Sequence, residues 1–207
     1  MGFCLLNNVA LAAEHLLQKE GARRLAVVDL DLHHGNGTQE IFYRRGDVFF
    51  LSIHQSPLYP GTGYLEETGT GAGQGRNANF PLPPGSGDQA YQALLGELVL
   101  PLLQGYEPEM LLISLGFDTH WRDPLGSLQL SCAALGHLVK TLAAWAGEQV
   151  GGRIALFLEG GYDLQAMALG SQAVVAALLG LAWEDPLGPA PTPETRDWKK
   201  NVALARE

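Results

Sequence analysis

Apolar residues along the chain fall into two alternating patterns. Val9, Ala12, Ala13 and Leu16 recur at helical spacing, with Asn8 as N-cap and Gly21 as closing residue. Leu25–Leu32 reads as a strand that runs into a histidine- and glycine-rich turn, and Val48–His54 as a second strand. Glycine, proline and threonine then dominate Ser56–Gly87, predicting one long loop of the kind that carries a binding rim or lid. A helix is expected from Asp88 to about Gln104, kinked by Pro101. Met110–Leu115 is wholly apolar and ends at Gly116-Phe117-Asp118. Ser131 caps a helix whose stripe is Leu135, Leu138, Val139 and Leu142. Ile154–Leu158 is another buried strand, and Gln165–Leu181 the last clear helix.

Continuous apolar strands separated by helices predict an α/β fold with a mostly parallel central sheet covered on both faces, a three-layer arrangement. In such sheets the site lies beyond the carboxyl ends of the strands. The polar clusters Asp29–Gly37, Ser52–Gln55, Gly116–Asp123 and Glu159–Asp163 fall there. No internal repeat or interdomain linker divides the chain, so 1–183 reads as one unit and the proline-rich 184–207 as a surface tail.

Composition changes this picture little. With 207 residues, 46% of them hydrophobic, the chain can bury a substantial core. A net charge of −9 argues against binding nucleic acid and suits cationic substrates. Only Cys4 and Cys132 are present, too few for a disulfide framework. No apolar run spans a bilayer and the start lacks a signal-peptide pattern, so no membrane association and a cytoplasmic location are expected.

The run Val28-Asp29-Leu30-Asp31-Leu32-His33-His34-Gly35-Asn36-Gly37 carries the chemistry. If the strand continued to its end, Asp29, Asp31 and His33 would share one face while Leu30 and Leu32 were buried on the other. Unpaired polar groups in that setting are costly, which favours a metal site over a solvated strand end. Asp31, His33 and Asp118 together make two carboxylates and one imidazole with a coordination position left open, as catalytic rather than structural zinc sites do.

Four ordered motifs, DLDLHHGNGT, HQSPLYPGTG, GFDTHWRDPLGSLQLS and LEGGYDL, together with GFCLLNNVALAA at the start, closely resemble the histone deacetylase and acetylpolyamine amidohydrolase superfamily, in particular its bacterial, class II-like members. The resemblance implies the arginase/deacetylase-like fold and a zinc-dependent amide hydrolase acting on acetylated protein lysine or acetylpolyamines. It places Asp31, His33 and Asp118 as zinc ligands, and Tyr162 as the residue that polarises the scissile carbonyl and stabilises the oxyanion. Gly160 and Gly161 then allow close approach of substrate. Asp29 and Ser52, with backbone carbonyls of Asp31 and His33, match a monovalent-cation site for potassium. Phe3, Tyr59 and Leu125 match the apolar walls of an acyl-lysine tunnel, and His34 a hydrogen-bonding group behind the ligands. His120, just after Asp118, is expected on the rim.

One departure matters. The family's adjacent-histidine pair, the general base, lies shortly before the GFC segment, and here the sequence begins at Met1-Gly2-Phe3-Cys4. The chain therefore reads as the C-terminal part of a deacetylase domain, with the N-terminal strands missing, impaired activity, and an open sheet edge that invites a homo-oligomer. The alternatives are a non-catalytic zinc-binding remnant or interaction protein, and a metallophosphoesterase. The latter is disfavoured because only one clear trio plus Asp29 is present, without a basic phosphate clamp.

Overall fold

A computed structural model describes residues 3–206. Five parallel strands form one sheet: β1 (Leu25–Asp29), β2 (Val48–Gln55), β3 (Asn77–Leu82), β4 (Met110–Leu115) and β5 (Ile154–Leu158), in the order β3-β2-β1-β4-β5. Alternation of side chains across the pleat splits the core in two. Leu25 and Val27 face one side with Val48, Phe50 and Leu112, under α1 (Asn8–Lys19) and Phe42 of α2 (Asn36–Phe42). Ala26, Val28, Leu30 and Leu32 face the other, under α3 (Asp88–Leu94), α4 (Leu100–Tyr106), α5 (Cys132–Gln149) and α6 (Leu164–Leu179). This is the three-layer α/β arrangement the apolar pattern predicts.

Several boundaries differ from expectation. The ladder of β1 stops at Asp29, not Leu32, although Leu30 and Leu32 are fully buried. The expected loop 56–87 contains β3, whose Asn77-Ala-Asn-Phe-Pro-Leu sequence has poor strand propensity. Pairing with β2 overrides that, and both asparagine amides donate to Gln39 at 2.8 Å. The single helix expected over 88–104 is broken into α3, a π-helical turn at Leu95–Val99, and α4. The three run on without a gap, and Pro101, which has no N–H to give the preceding turn, sits just past the π-helical turn. Asn7, not Asn8, caps α1, and Gly180 closes α6 in the left-handed conformation.

The segment expected as a surface tail is docked. Its helix α7 (Trp198–Leu204) buries Trp198 and Val202 in the larger core, and Glu194 takes the N–H groups of Gly87, Gln89 and Ala90 at the start of α3. This also covers one sheet edge. β3 carries Pro81, whose carbonyl accepts the Asn201 amide at 2.8 Å. The opposite edge strand, β5, reads Ile-Ala-Leu-Phe-Leu, pairs only with β4 among the described residues, and is half-exposed along its length.

Candidate metal centre and active site

The site is assembled where three parallel strands end. Asp29 is the last residue of β1, in register with Ser52 of β2 and Ser114 of β4. Beyond it the chain turns on its own carboxylates. Asp29 Oδ1 accepts the Asp31 N–H at 3.0 Å, and Asp31 Oδ1 accepts the His33 N–H at 2.8 Å. Asp31 and His33 are therefore presented by consecutive side-chain-bonded turns rather than by a strand face. Asp118 arrives from the end of β4 and is locked to this loop by the Leu32 N–H, 3.1 Å from Asp118 Oδ1. From the end of β5, the Gly160 N–H donates to Asp31 Oδ2 at 2.9 Å and the Gly160 carbonyl accepts from Phe117 at 2.8 Å.

Asp31, His33 and Asp118 thus converge, with a ligand atom from each lying within 4.8 Å of the others. His33 Nδ1 sits 3.2 Å from Asp31 Oδ1 and 3.2 Å from Asp118 Oδ2. Those two carboxylates, Asp118 first, push the imidazole pKa up to about 10. Burial pushes Asp118 up to about 6 against the opposing pull of His33. Asp29 is raised well above the carboxylate range by burial and by the charge of Asp31. Without a metal, the site holds a proton on the imidazole between two carboxylates, and a dication meets the same demand for positive charge. Asp118 Oδ2 is buried without a well-formed hydrogen bond, although the ring nitrogen of His33 is near. A Cβ on Gly116 or Gly160 would run into the carboxylate oxygens of Asp31 and Asp118, so glycine at both positions keeps this space open. The donor set, the orphaned oxygen and the glycine cradle all fit a zinc-type ion.

Tyr162 stands beside this centre on the turn after β5. Gly161 at φ 144° adopts a backbone that L side chains disfavour, and so sets the direction of that turn. The phenol is 39% exposed. Its pKa is raised by burial and then by the negative charges of Asp118 and Asp31, so it remains an O–H donor at neutral pH. Its ring meets Phe3 edge-on at 5.9 Å, and the Tyr59 ring stands edge-on to His33 at 6.4 Å. Phe3, Tyr59 and Leu125 are 83%, 58% and 44% exposed, so these expected tunnel walls form an open rim among the described residues.

His34 does not back the ligands as expected. Its Nδ1 pairs with Thr62 Oγ1 at 2.8 Å and its Nε2 with Gln39 Oε1 at 3.0 Å, leaving neither nitrogen for the trio. Instead it ties the turn to the loop of Thr62 and to α2. His120, expected on the rim, is buried, and its Nδ1 accepts the Arg122 N–H at 3.2 Å.

Ser52 is buried beside Asp29 and bonds His54 Nδ1 at 2.9 Å. The other nitrogen, Nε2, faces the Gly63 carbonyl at 3.0 Å and must carry the proton, so Nδ1 accepts from the Ser52 hydroxyl. The lone pairs of the Ser52 oxygen stay free. Burial, with His34 next, drives the His54 pKa down to about 3. The unfolded chain then binds a proton that the native state refuses. This contribution to stability is complete above pH ~6.5 and is lost as pH falls toward 3, by at most ~1.4 kcal/mol per pH unit. Asp118, raised in the folded state, acts in the opposite direction as pH falls through about 6. The His54 effect is therefore read as a difference: in urea melts between pH 4 and 7, His54→Gln should flatten the acid-side slope relative to wild type. Parallel slopes would place a charged, solvated imidazole at this position.

Gln39, Ser114 and Asp123 carry the surroundings of the site and were not singled out from the sequence. Ser114 donates to Glu159 at 2.9 Å, and Gln39 Oε1 gathers His34, Asn77 and Asn79. Apart from the short-range bonds Gln39–His34 and Asp123–Leu125, their partners lie 28 to 45 residues away, and no local spacing announces them.

A parallel sheet with carboxylates and an imidazole gathered at its strand ends defines the class as an α/β protein with a candidate metal site. The histone deacetylase domain matches residues 1–178, and the chain belongs to that family. It is 44% identical over 180 residues to a probable deacetylase of Archaeoglobus fulgidus, covering 86% of this chain and 50% of that protein. It is 39% identical over 190 residues to the histone deacetylase-like amidohydrolase of Pseudomonas aeruginosa, covering 90% and 50%. The crystal structure of the HDA15 HD domain superposes with a TM-score of 0.87 at 36% identity, covering 99% of this chain and 55% of that one. The chain spans about half the length of the curated relatives it matches.

Proposed function

We propose that the protein acts as a zinc-dependent amide hydrolase that removes acetyl groups from lysine side chains or polyamines. The observation that carries this is the convergence of Asp31, His33 and Asp118 around the orphaned Asp118 Oδ2, in a chain of the deacetylase family. Zinc held there supplies Lewis acidity, polarising the scissile carbonyl and making water acidic enough to attack near neutral pH. Tyr162 offers its hydroxyl to the oxygen on which negative charge develops, and Gly160 and Gly161 let the acyl group approach the backbone. Hydrolysis then breaks the C–N bond and releases acetate and a free amine. Asp29 and the free lone pairs of Ser52 suit a monovalent cation such as potassium beside the zinc.

Proton transfer needs an imidazole that these residues do not offer. His33 is held by the two carboxylates, and His34 is spent on Thr62 and Gln39. Neither of these two imidazoles is free to act as the base. The test is metal analysis followed by acetate release from an acetyl-lysine peptide and from an acetylated diamine, with and without added imidazole. One zinc per chain and a slow turnover accelerated by imidazole are expected. Zinc binding with no turnover under any condition would leave a non-catalytic remnant, and failure to bind zinc would remove the proposal.

The naked β5 edge supports self-association. Leu111 N–H donates to the Arg153 carbonyl and Glu159 N–H to that of Leu115. Alternation along a parallel ladder then turns the N–H and C=O groups of Ile154, Leu156 and Leu158 away from β4. Sedimentation should show concentration-dependent oligomers. Leu156→Pro removes an outward N–H, together with a leucine that packs on the larger core, and should shift the protein toward monomer. A wild-type protein that stays monomeric at high concentration would show that this edge is not sticky.

A further inference from the structure

Tyr162 is poorly held by its own ring. The phenol is 39% exposed, and its ring contact is with Phe3, itself 83% exposed. What fixes its direction is the backbone, and the backbone is pinned from two sides. On one side Gly160 is tied to Asp31 and Phe117. On the other stands Asp123, a carboxylate only 7% exposed. Its Oδ2 accepts the N–H of Tyr162 at 2.7 Å and that of Asp163 at 3.3 Å, while Oδ1 accepts the N–H of Leu125 at 3.0 Å. One buried side chain thus gathers three backbone donors from two separate loops.

We propose that Asp123 is a positioning residue that aims the Tyr162 hydroxyl over the metal centre, by clamping the turn after β5 to the loop that carries Asp118 and Leu125. Its catalytic consequence rests on the role given to Tyr162 above; the clamp itself does not. The carboxylate suits the task because it is acceptor-only, so both oxygens can receive N–H groups. An asparagine has one oxygen, and its NH2 would confront at least one of the three donors. Removing the carboxylate leaves the Tyr162 and Asp163 amides without the acceptor that Oδ2 gives them, and the turn is free to swing about Gly161. The neighbouring anchors are different in kind. Asp163 caps α6 through the Ala166 N–H at 2.8 Å, and Arg122 reaches Asp163 at 3.2 Å, so the helix start survives without Asp123.

Two measurements on the full chain test this. Amide exchange by NMR should show the Tyr162 and Asp163 N–H protected in wild type and exchanging at least ~10-fold faster in Asp123→Ala, as expected for loss of a hydrogen bond to a charged acceptor. Val174 in the body of α6 serves as control and should be unchanged, which excludes general unfolding. Asp123→Glu, which keeps the acceptor pair on a longer stem, should restore part of the protection. Equal exchange in wild type and Asp123→Ala would overturn the clamp. In turnover of an acetyl-lysine peptide, Asp123→Ala should lower kcat with KM nearly unchanged, and should cost nothing further in a Tyr162→Phe background. Lost protection with additive kinetic losses would leave the clamp standing and refute its action through Tyr162. If Tyr162→Phe alone turns over normally, the role of Tyr162 has failed, and the exchange data still judge the clamp.

Discussion

Asp118→Asn is expected to cost the protein its zinc. The asparagine keeps the shape of the side chain and can still accept the Leu32 N–H through Oδ1, now 3.1 Å away, so the loop loses no anchor. What it removes is the charge and lone pairs of Oδ2, the buried oxygen left without a well-formed hydrogen bond. Side chains that merely support a metal ligand typically cost about 10–100-fold in affinity when changed, so losing a ligand should cost at least ~10²-fold. Wild type should gain thermal stability on zinc addition, by about 4 kcal/mol when free zinc stands a thousandfold above its dissociation constant. The variant should gain almost none. Isothermal titration and metal analysis after dialysis measure the first effect, and melting curves the second. Stoichiometric zinc in Asp118→Asn would mean that the trio is an ion-pair network and not a metal site.

Tyr162→Phe carries the second large effect. Deleting the hydroxyl leaves the ring and its contact with Phe3 in place, so the fold and zinc content should not change. The hydroxyl is a protonated donor next to two carboxylates, and its partner appears only as the carbonyl oxygen becomes negative. Its loss should therefore fall on kcat rather than KM, by about 10²–10³-fold as for other oxyanion donors. Steady-state kinetics, run with and without added imidazole, separates the two parameters. A raised KM with normal kcat would make Tyr162 a substrate-binding residue only. Near-normal values of both would leave it a rim aromatic.

The two effects have different origins, and the structure shows why. The metal trio is fixed chiefly within its own loops, by N–H groups that donate from Asp31 to Asp29, from His33 to Asp31 and from Leu32 to Asp118, with Gly160 donating to Asp31 as well. Tyr162 is fixed from outside, by Gly160 and Asp123. A change at Asp123 should spare zinc, and a change at Asp118 should not swing the tyrosine.

The sequence by itself determined the layers and the neighbourhood of the site. The apolar runs of β1 and β4 dictated strands buried on a sheet, whereas β5, expected to be buried as well, is a half-exposed edge strand. Asp31, His33 and Asp118 were legible because they follow such runs, and the carboxyl ends of parallel strands lie together, whereas Tyr162 was named by the family resemblance. Tertiary structure decided the rest. β3 was invisible because asparagine and proline are poor strand formers, and only pairing with β2 and the Gln39 amide make that segment extended. The docking of α7 depends on Trp198 and Val202 meeting β3 and α3, whose residues lie more than a hundred positions earlier. The ladder of β1 stopped at Asp29 because the N–H groups of Asp31 and His33 turned to the Asp29 and Asp31 carboxylates, while Leu30 still donates to the Ser114 carbonyl of β4 at 2.8 Å. His34 left the metal centre because Thr62 and Gln39 satisfied both its nitrogens, and Asp123 became an anchor because three N–H groups from two loops had no other buried acceptor. Apolar periodicity is a local property and can be read along the chain. The partner of a buried polar atom is chosen only once the chain has folded.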